Sequence, residues 1–152
     1  MRALIQRVSR ASVSIGGTLH DEIGHGMLIL LGVSAADDEA AADSLAQKCA
    51  QLRIFDDGEG KMNRSVKEVE GSTLVISQFT LYADTAKGNR PSFIQAAKPE
   101  LAEQLYGRFV ENLRTELGEG RVRTGVFRAM MDVELTNNGP VTIMIESKNH
   151  AS

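Results

Sequence analysis

Apolar and polar residues alternate along several short stretches of the chain, and this period of two predicts β-strands with one buried face. Two other stretches, MLILLGV from Met27 and STLVISQFTLY from Ser72, are almost wholly apolar or rich in β-branched and aromatic residues. We expect MLILLGV to form the core of the sheet, because such a run is typical of a strand covered on both faces. The alternating stretches are residues 3–8, residues 11–15, a segment from about Val122, residues 131–135 and residues 141–145.

Two further segments repeat apolar residues every three or four positions, which predicts amphipathic helices. The first covers residues 37–52 and starts with three acidic residues, whose charges suit the N-terminus of a helix. Cys49 lies on its apolar face, which predicts a buried, inert thiol. The second helix begins near Pro99 and ends before Gly118. Its repeating apolar residues are Leu101, Leu105, Phe109, Leu113 and Leu117.

These elements predict an α/β fold with a mixed, largely antiparallel sheet and two main helices. The chain has no internal repeat or linker, and its 152 residues have the size of one domain, so residues 1–152 are interpreted as a single domain. No apolar run approaches the roughly 20 residues of a membrane span. The N-terminus also lacks the apolar region of a signal peptide, and we therefore expect a cytoplasmic protein that does not bind membranes.

The segment LTNNGPVTIMI, residues 135–145, places Asn-Gly between two alternating runs, and this pattern predicts a β-hairpin. Proline donates no backbone hydrogen bond, so within a sheet it belongs at an edge, at the start of a strand or in a bulge. Gly139 and Pro140 either close a turn or give the backbone a shape that a function requires. The local pattern leaves both interpretations open.

Metal chemistry receives no support from the sequence. The histidines His20, His25 and His150 are not spaced as ligands, and zinc sites need three or four ligands, so we expect surface histidines and no metal. The segment GEGKM has some likeness to a phosphate-binding loop. It lacks the full spacing of that motif and the change from strand to helix that the motif requires.

Ser77 and Thr80 lie near the end of a predicted strand, where catalytic residues often occur, but no base stands near them in the sequence. The segment KGNRPSF holds Lys87, Asn89 and Arg90 close to Phe93 and either contacts phosphate and base or is a solvated loop. The net charge of −3 argues against binding nucleic acid mainly through a basic field. Any RNA ligand would therefore be bound through contacts confined to a small part of the surface.

Three motifs taken together resemble the D-aminoacyl-tRNA deacylase family, also known as D-tyrosyl-tRNA deacylases. They are SQFTLYAD at residues 77–84, KGNRPSF at residues 87–93 and NNGPVT at residues 137–142. LRIFDDGEGKMNRSV and MLILLGV match as well, so the resemblance covers nearly the whole chain in the family's order. In TGVFRAMM, Arg128 stands where the family pattern has glycine, which leaves the detail of the adenosine pocket open.

The resemblance implies a barrel-like deacylase fold and an enzyme that hydrolyses the ester between a D-amino acid and the 3′-terminal adenosine of tRNA, without a cofactor. It also implies activity on glycyl-tRNA. The same resemblance implies a homodimer. In it, Gly139 and Pro140 of one subunit, joined by a cis bond, reach into the active site of the other. Their backbone carbonyls would hold the α-ammonium group, and an L-side chain would collide with this rigid backbone.

By the same resemblance, Ser77, Gln78, Phe79 and Thr80 form the catalytic segment. Backbone amides near Phe79 and Thr80 are candidate oxyanion donors. The lack of a general base fits activation of water by the ribose 2′-OH of the tRNA. Two supporting residues complete the expected site: Phe127, as a neighbour of the adenine, and Arg7, as a support of the Gly-Pro element across the dimer.

Two other classes of function stay open at this stage. A hydrolase with Thr80 as its nucleophile would form a covalent intermediate on another ester. A nucleic-acid-binding module would bind tRNA or DNA without turnover and with a steep dependence on salt, which the net charge disfavours.

Overall fold

The computed structural model describes residues 1–148, so His150 and the end of the predicted domain lie outside the described part of the chain. Two α-helices are present there, α1 (Glu39–Gln51) and α2 (Pro99–Leu117), with 3-10 turns at Phe79–Tyr82 and Glu119–Arg121. The strands are β1 (Arg2–Ile15), β2 (Thr18–Ile23), β3 (Gly26–Gly32), β4 (Phe55–Asp56), β5 (Met62–Arg64), β6 (Ser72–Ser77), β7 (Val122–Thr124) and β8 (Asp132–Glu146).

The main sheet is mixed, as the sequence predicts. β1 pairs antiparallel with β2, β3 and β8, whereas β3 pairs in parallel with β6, and β6 with β7. β2 and β7 stand at opposite ends of the strand order, yet β2 contacts β7, and the guanidinium of Arg123 lies 3.6 Å from the carboxylate of Asp21. The sheet therefore curls into a nearly closed barrel, and the predicted fold class is confirmed.

β1 corrects one expectation, because the strands predicted at residues 3–8 and 11–15 are a single strand. Ser9 is an extra residue in the ladder to β8, since Val8 and Arg10 pair with consecutive residues of β8. A bulge of this kind moves the side chains that follow it to the opposite face of the strand. The bulge interrupts the alternation of inward-facing and outward-facing residues along β1, and a gap between two strands would interrupt it in the same way.

The hairpin predicted in residues 135–145 is wrong. β8 does not reverse direction, and both of its halves pair antiparallel with β1. Opposite Arg7, β8 instead carries the four residues 138–141 as a wide bulge between two regular ladders. Alternation on both sides of a break is common to a hairpin and to a bulged strand, so the pattern does not distinguish them.

Side chains from the sheet pack in two layers. On β3, Met27, Ile29 and Leu31 face the helices, while Leu28 and Leu30 face the interior of the barrel. This double burial explains why MLILLGV is apolar at nearly every position. The helices contribute Leu45, Cys49, Leu105, Phe109 and Leu113, among others, to the first layer. Ile23, Leu74 and Ile76 contribute to the second.

Both helices form where the sequence predicts them and pack against each other. The side chain of Asp38 caps α1 by accepting the N–H of Ala41 at 2.9 Å. Gly118 follows α2 with φ of 101°, a value that favours glycine. Cys49 is fully buried, and burial raises the pKa of its thiol to about 12, so it stays protonated and unreactive. Within residues 1–148, no helix has the length and apolar character to cross a membrane.

The contact of Gly26 with β6 gives a test of this packing. A Cβ added at Gly26 would overlap the carbonyl oxygen of Ser72 and lie 2.7 Å from the carbonyl carbon. We expect Gly26→Ala to lower the free energy of unfolding by about 3 kcal/mol or more, because backbone must move to admit the methyl group. Gly24→Ala meets open space and should change it by less than about 1 kcal/mol. Urea denaturation measures both, and equal values would contradict the described strand contact.

Candidate functional site

The catalytic segment expected from the sequence lies at the end of β6, where the predicted strand of residues 72–82 stops early. β6 ends at Ser77, and Phe79–Tyr82 form a 3-10 turn. The N–H of Gln78 donates to the carbonyl of Leu31 at 2.8 Å, which anchors the turn to β3. Gly32 leaves the space for it, since a Cβ there would lie 3.2 Å from the carbonyl oxygen of Gln78.

The turn exposes a short row of polar and aromatic groups. The side-chain amide of Gln78 donates to the hydroxyl of Thr80. Between them, Phe79 is 55% exposed, which is unusual for a large aromatic side chain. Its ring packs edge-on against Phe93, with the ring centroids 5.0 Å apart. The segment therefore offers an apolar surface beside hydrogen-bonding groups at the mouth of the barrel.

No general base serves the hydroxyl groups of this turn within residues 1–148. Neither Ser77 nor Thr80 is hydrogen-bonded there to a histidine or a carboxylate, and the backbone N–H groups of Phe79 and Thr80 have no acceptor in the same part of the chain. Among these residues, no group of three or more His, Cys, Asp or Glu is arranged to hold a metal ion. His20 and His25 are exposed, as predicted.

Arg2 of β1 holds the other end of the turn. Its guanidinium donates to the carbonyl of Leu81 at 2.8 Å and to Glu146 of β8 at 2.9 Å, and it stands 4.5 Å from the centre of the Tyr82 ring. Burial raises the pKa of Tyr82 above its usual range, and the negative charge of Asp37 adds a smaller effect in the same direction. This phenol therefore remains neutral. One arginine thus fixes the turn against two strands.

The bulge of β8 contains the Gly139-Pro140 peptide bond, which is cis. Residues 138–140 are exposed, so this backbone projects from the sheet. Asn137 braces the bulge from inside the strand. Its side-chain oxygen accepts the N–H of Val141 at 2.7 Å, and its amide nitrogen donates to the hydroxyl of Thr142 at 3.0 Å.

Arg7 lies buried behind this bulge, only 8% exposed. Its guanidinium donates to the carbonyl of Asn138 at 2.8 Å and to the carbonyl of Ile54 at 2.8 Å, and it is 3.4 Å from the carboxylate of Asp56. A Cβ added at Gly139 would stand 3.4 Å from the same guanidinium. Arg7 therefore fixes the backbone just before the Gly-Pro pair of its own chain to the β4 segment, whereas the resemblance implied a support across the dimer.

The two halves of the expected site are far apart along the sheet of one chain. Ser77 pairs with Leu31, which pairs with Ala3, whereas the bulge lies beside Arg7. The four residue steps from Ala3 to Arg7 span roughly 13 Å, and β6 and β8 are separated by three strand spacings of roughly 5 Å each. A single chain therefore does not join the turn and the bulge through its sheet.

Phe127 and Arg128 lie in the turn after β7. The N–H of Gly125 approaches the carbonyl of Val75 at 3.4 Å, which brings this turn close to the end of β6. The Phe127 ring is half-buried, with its centroid 6.2 Å from that of Tyr106. Arg128 has φ of 69°, a left-handed conformation that explains why glycine suits this position.

The sequence did not single out several residues that shape these two places. Asn137 and Thr142 belong to the NNGPVT motif. Their hydrogen bonds could not be predicted from that motif, because they form only once the bulge brings the two residues together. Arg2 and Asp56 had no sequence signal, because each acts through a partner on a distant segment.

Comparisons with known proteins agree with this architecture. A family model described as D-Tyr-tRNA(Tyr) deacylase matches residues 4–146. A D-aminoacyl-tRNA deacylase of Symbiobacterium thermophilum is 59% identical over 148 residues, covering 97% of each chain. Another of that name, from Thermomicrobium roseum, is 59% identical over 147 residues, covering 97% of this chain and 94% of its own.

Two solved structures share the fold. The c-Myc DNA Unwinding Element Binding Protein superimposes with a TM-score of 0.93 at 41% identity, covering 97% of this chain and 99% of its own. A probable eukaryotic D-amino acid tRNA deacylase superimposes with a TM-score of 0.82 at 19% identity, covering 95% and 98%. The second likeness concerns the fold alone. The resemblance found in the motifs is confirmed, and this chain belongs to the D-Tyr-tRNA(Tyr) deacylase family.

Proposed function

We propose that this protein hydrolyses the ester bond of D-aminoacyl-tRNA and releases the free D-amino acid and tRNA. The observation that carries the proposal is the exposed Gly139-Pro140 bulge, held from behind by Arg7 and from within by Asn137. The names of the relatives, D-aminoacyl-tRNA deacylase, support the same substrate class. Its place of action is the cytoplasm, where charged tRNA is used.

Selection between enantiomers follows from the stiffness of this bulge. Backbone carbonyls at Gly139 and Pro140 are fixed acceptors for the α-ammonium group, because the bulge is braced at both ends. With the ammonium group held there, a D-side chain points to open space and an L-side chain meets backbone that cannot move aside. Glycine has no side chain to reject, so glycyl-tRNA is a second substrate.

The active site belongs to a homodimer. The turn at Gln78–Thr80 and the bulge at Gly139 lie far apart along one sheet, and a projecting bulge suits insertion into a neighbouring molecule. A second subunit places its bulge against the turn of the first. Phe79 and the half-buried Phe127 then receive the terminal adenosine, since exposed aromatic rings stack readily on a base.

Hydrolysis proceeds without a protein base. The hydroxyl of Thr80 has the Gln78 amide as its hydrogen-bond partner, and an amide donor cannot remove a proton. The 2′-OH of the terminal ribose instead helps to activate the attacking water. The N–H groups of Phe79 and Thr80, which have no acceptor within residues 1–148, donate to the oxyanion that forms, a contribution of about 10²–10³ in rate for one such donor.

DNA binding is a second candidate, favoured by one observation. The neighbour at 41% identity is named for binding a DNA unwinding element. The net charge of −3 makes binding through a broad basic field unfavourable. A protein of this class would bind DNA with a steep dependence on salt and release no amino acid from charged tRNA.

The first test compares enantiomers of one substrate. We expect the purified protein to release D-tyrosine from D-tyrosyl-tRNA and to leave L-tyrosyl-tRNA nearly intact at the same enzyme concentration, because the bulge rejects the L-side chain. Release of labelled amino acid gives both rates, with glycyl-tRNA as a third substrate. Similar rates on the two enantiomers would contradict the proposed selection.

The second test concerns the bulge. A Cβ at Gly139 would lie 2.8 Å from the backbone nitrogen of Val141, at φ of 151°, so Gly139→Ala must displace the backbone beside the substrate. We expect kcat/KM to fall on the order of 10²-fold while the protein stays a folded dimer by circular dichroism and light scattering. Gly107→Ala, which meets open space in α2, is the control and should keep full activity.

Complementation tests whether the site is shared between subunits. Gly139→Ala and Gln78→Ala should each be inactive alone, whereas mixing them with subunit exchange should restore activity, since one site of the hybrid has both native elements. Full activity of Gly139→Ala, or no recovery despite exchange shown by mass spectrometry, would contradict the shared site.

The third test separates Thr80 from the substrate's own hydroxyl. We expect Thr80→Ala to keep appreciable activity, because no base among residues 1–148 is hydrogen-bonded to its hydroxyl. A tRNA ending in 2′-deoxyadenosine should be deacylated far more slowly than the native tRNA. An inactive but folded Thr80→Ala with a trapped covalent intermediate in the native enzyme would instead identify Thr80 as the nucleophile.

A further inference from the structure

The segment from Asp84 to Lys98, named here the basic loop, connects α2 to the 3-10 turn at Phe79–Tyr82, which is the catalytic turn of the proposed function. It carries three cationic side chains, Lys87, Arg90 and Lys98, all exposed. Within residues 1–148, none of the three forms an ion pair. The loop's carboxylate, Asp84, accepts the N–H of Ala86 at 2.9 Å. In a chain of net charge −3, this loop therefore carries three exposed cations that have no ion-pair partner within residues 1–148.

One backbone contact closes the basic loop on itself, and two further contacts fasten it to the rest of the molecule. Asp84 and Ser92 exchange two backbone hydrogen bonds of 2.8 and 2.9 Å, which close the segment between them into a compact tip. The Phe93 ring packs against Phe79 of the catalytic turn. The N–H of Ala97 donates to the carbonyl of Val33 at 2.9 Å. The cations thus have a defined position beside the turn.

An apolar side chain accompanies these charges. Ile94 is 89% exposed, next to Phe93 and on the same loop as Arg90. Surfaces that bind single-stranded nucleic acid combine cations for the phosphates with aromatic side chains on which the bases stack, and Phe93 supplies such a ring beside Ile94.

We propose that the basic loop binds the phosphates of the single-stranded 3′ end of tRNA, at the nucleotides that precede the terminal adenosine. This inference rests on the proposed function, because it requires the terminal adenosine to enter the site beside Phe79. Lys87 and Arg90 at the tip contact phosphates, Lys98 adds positive charge at the base of the loop, and Ile94 packs against a base. The loop thereby aligns the strand so that its last ester reaches the catalytic turn.

The test measures binding of fluorescent uncharged tRNA by anisotropy at several salt concentrations. We expect the double variant Lys87→Gln/Arg90→Gln to weaken binding of intact tRNA on the order of tenfold in 0.1 M salt. The slope of log Kd against log salt should fall by about 1.4, since each contact to a single strand contributes about 0.7. The double variant should hardly change binding of a tRNA trimmed of its single-stranded 3′ end.

Lys48→Gln/Lys61→Gln is the matched control, because it removes the same charge from exposed lysines elsewhere on the surface. An equal loss of affinity in this control, an unchanged slope in the loop variant, or an equal loss with trimmed tRNA would each overturn the inference. Hydrolysis of D-tyrosyl-adenosine, which lacks the preceding phosphates, should be unchanged in the loop variant, and a loss there would overturn it too. Failure of the proposed function is distinct, since native enzyme would then release no D-amino acid, while the binding measurement still decides the role of the loop.

Discussion

The shape of the candidate site depends on the contacts that the buried guanidinium of Arg7 makes. It binds the carbonyls of Asn138 and Ile54 and approaches the carboxylate of Asp56, so one cation joins β1, the bulge of β8 and the β4 segment. A buried charge without such partners costs several kcal/mol, and the bulge therefore cannot relax without leaving the arginine unsatisfied. This mutual dependence gives an exposed loop-like backbone the stiffness of a core element.

Two arginines at different positions along β1 hold the two parts of the candidate site. Arg2 near one end fixes the catalytic turn, and Arg7 fixes the bulge five residues later, a separation of roughly 17 Å in a strand. Each arginine holds one part of the candidate site, and the distance between them along β1 keeps the turn and the bulge apart in one chain. The proposed homodimer would bring the turn of one subunit to the bulge of the other, and catalysis would then depend on assembly.

Much of the fold could be predicted from the sequence, because α1, α2, β3 and the mixed sheet follow from local periodicity. Two of the errors in the strands have one cause: bulges at Ser9 and at residues 138–141 interrupt alternation just as a chain break or a hairpin turn would. In the candidate site, the motifs singled out Gly139, Pro140 and residues 77–80, although the sequence predicted a continued strand where the structure has a 3-10 turn. The contacts of Arg2, Asp56 and Asn137 depend on partners brought together only by the tertiary fold, so the sequence alone did not reveal them.

The central claim is that backbone carbonyls of one subunit read the chirality of a substrate bound to the other. The most direct measurement is a crystal structure of the protein with a non-hydrolysable amide analogue of D-tyrosyl-adenosine. The account predicts the α-ammonium group within hydrogen-bonding distance of a carbonyl in the bulge, with Gly139 of the partner subunit beside it and the adenine near Phe79. An ammonium group bound only by side chains, or a ligand site built from one chain with the bulge left in solvent, would contradict it.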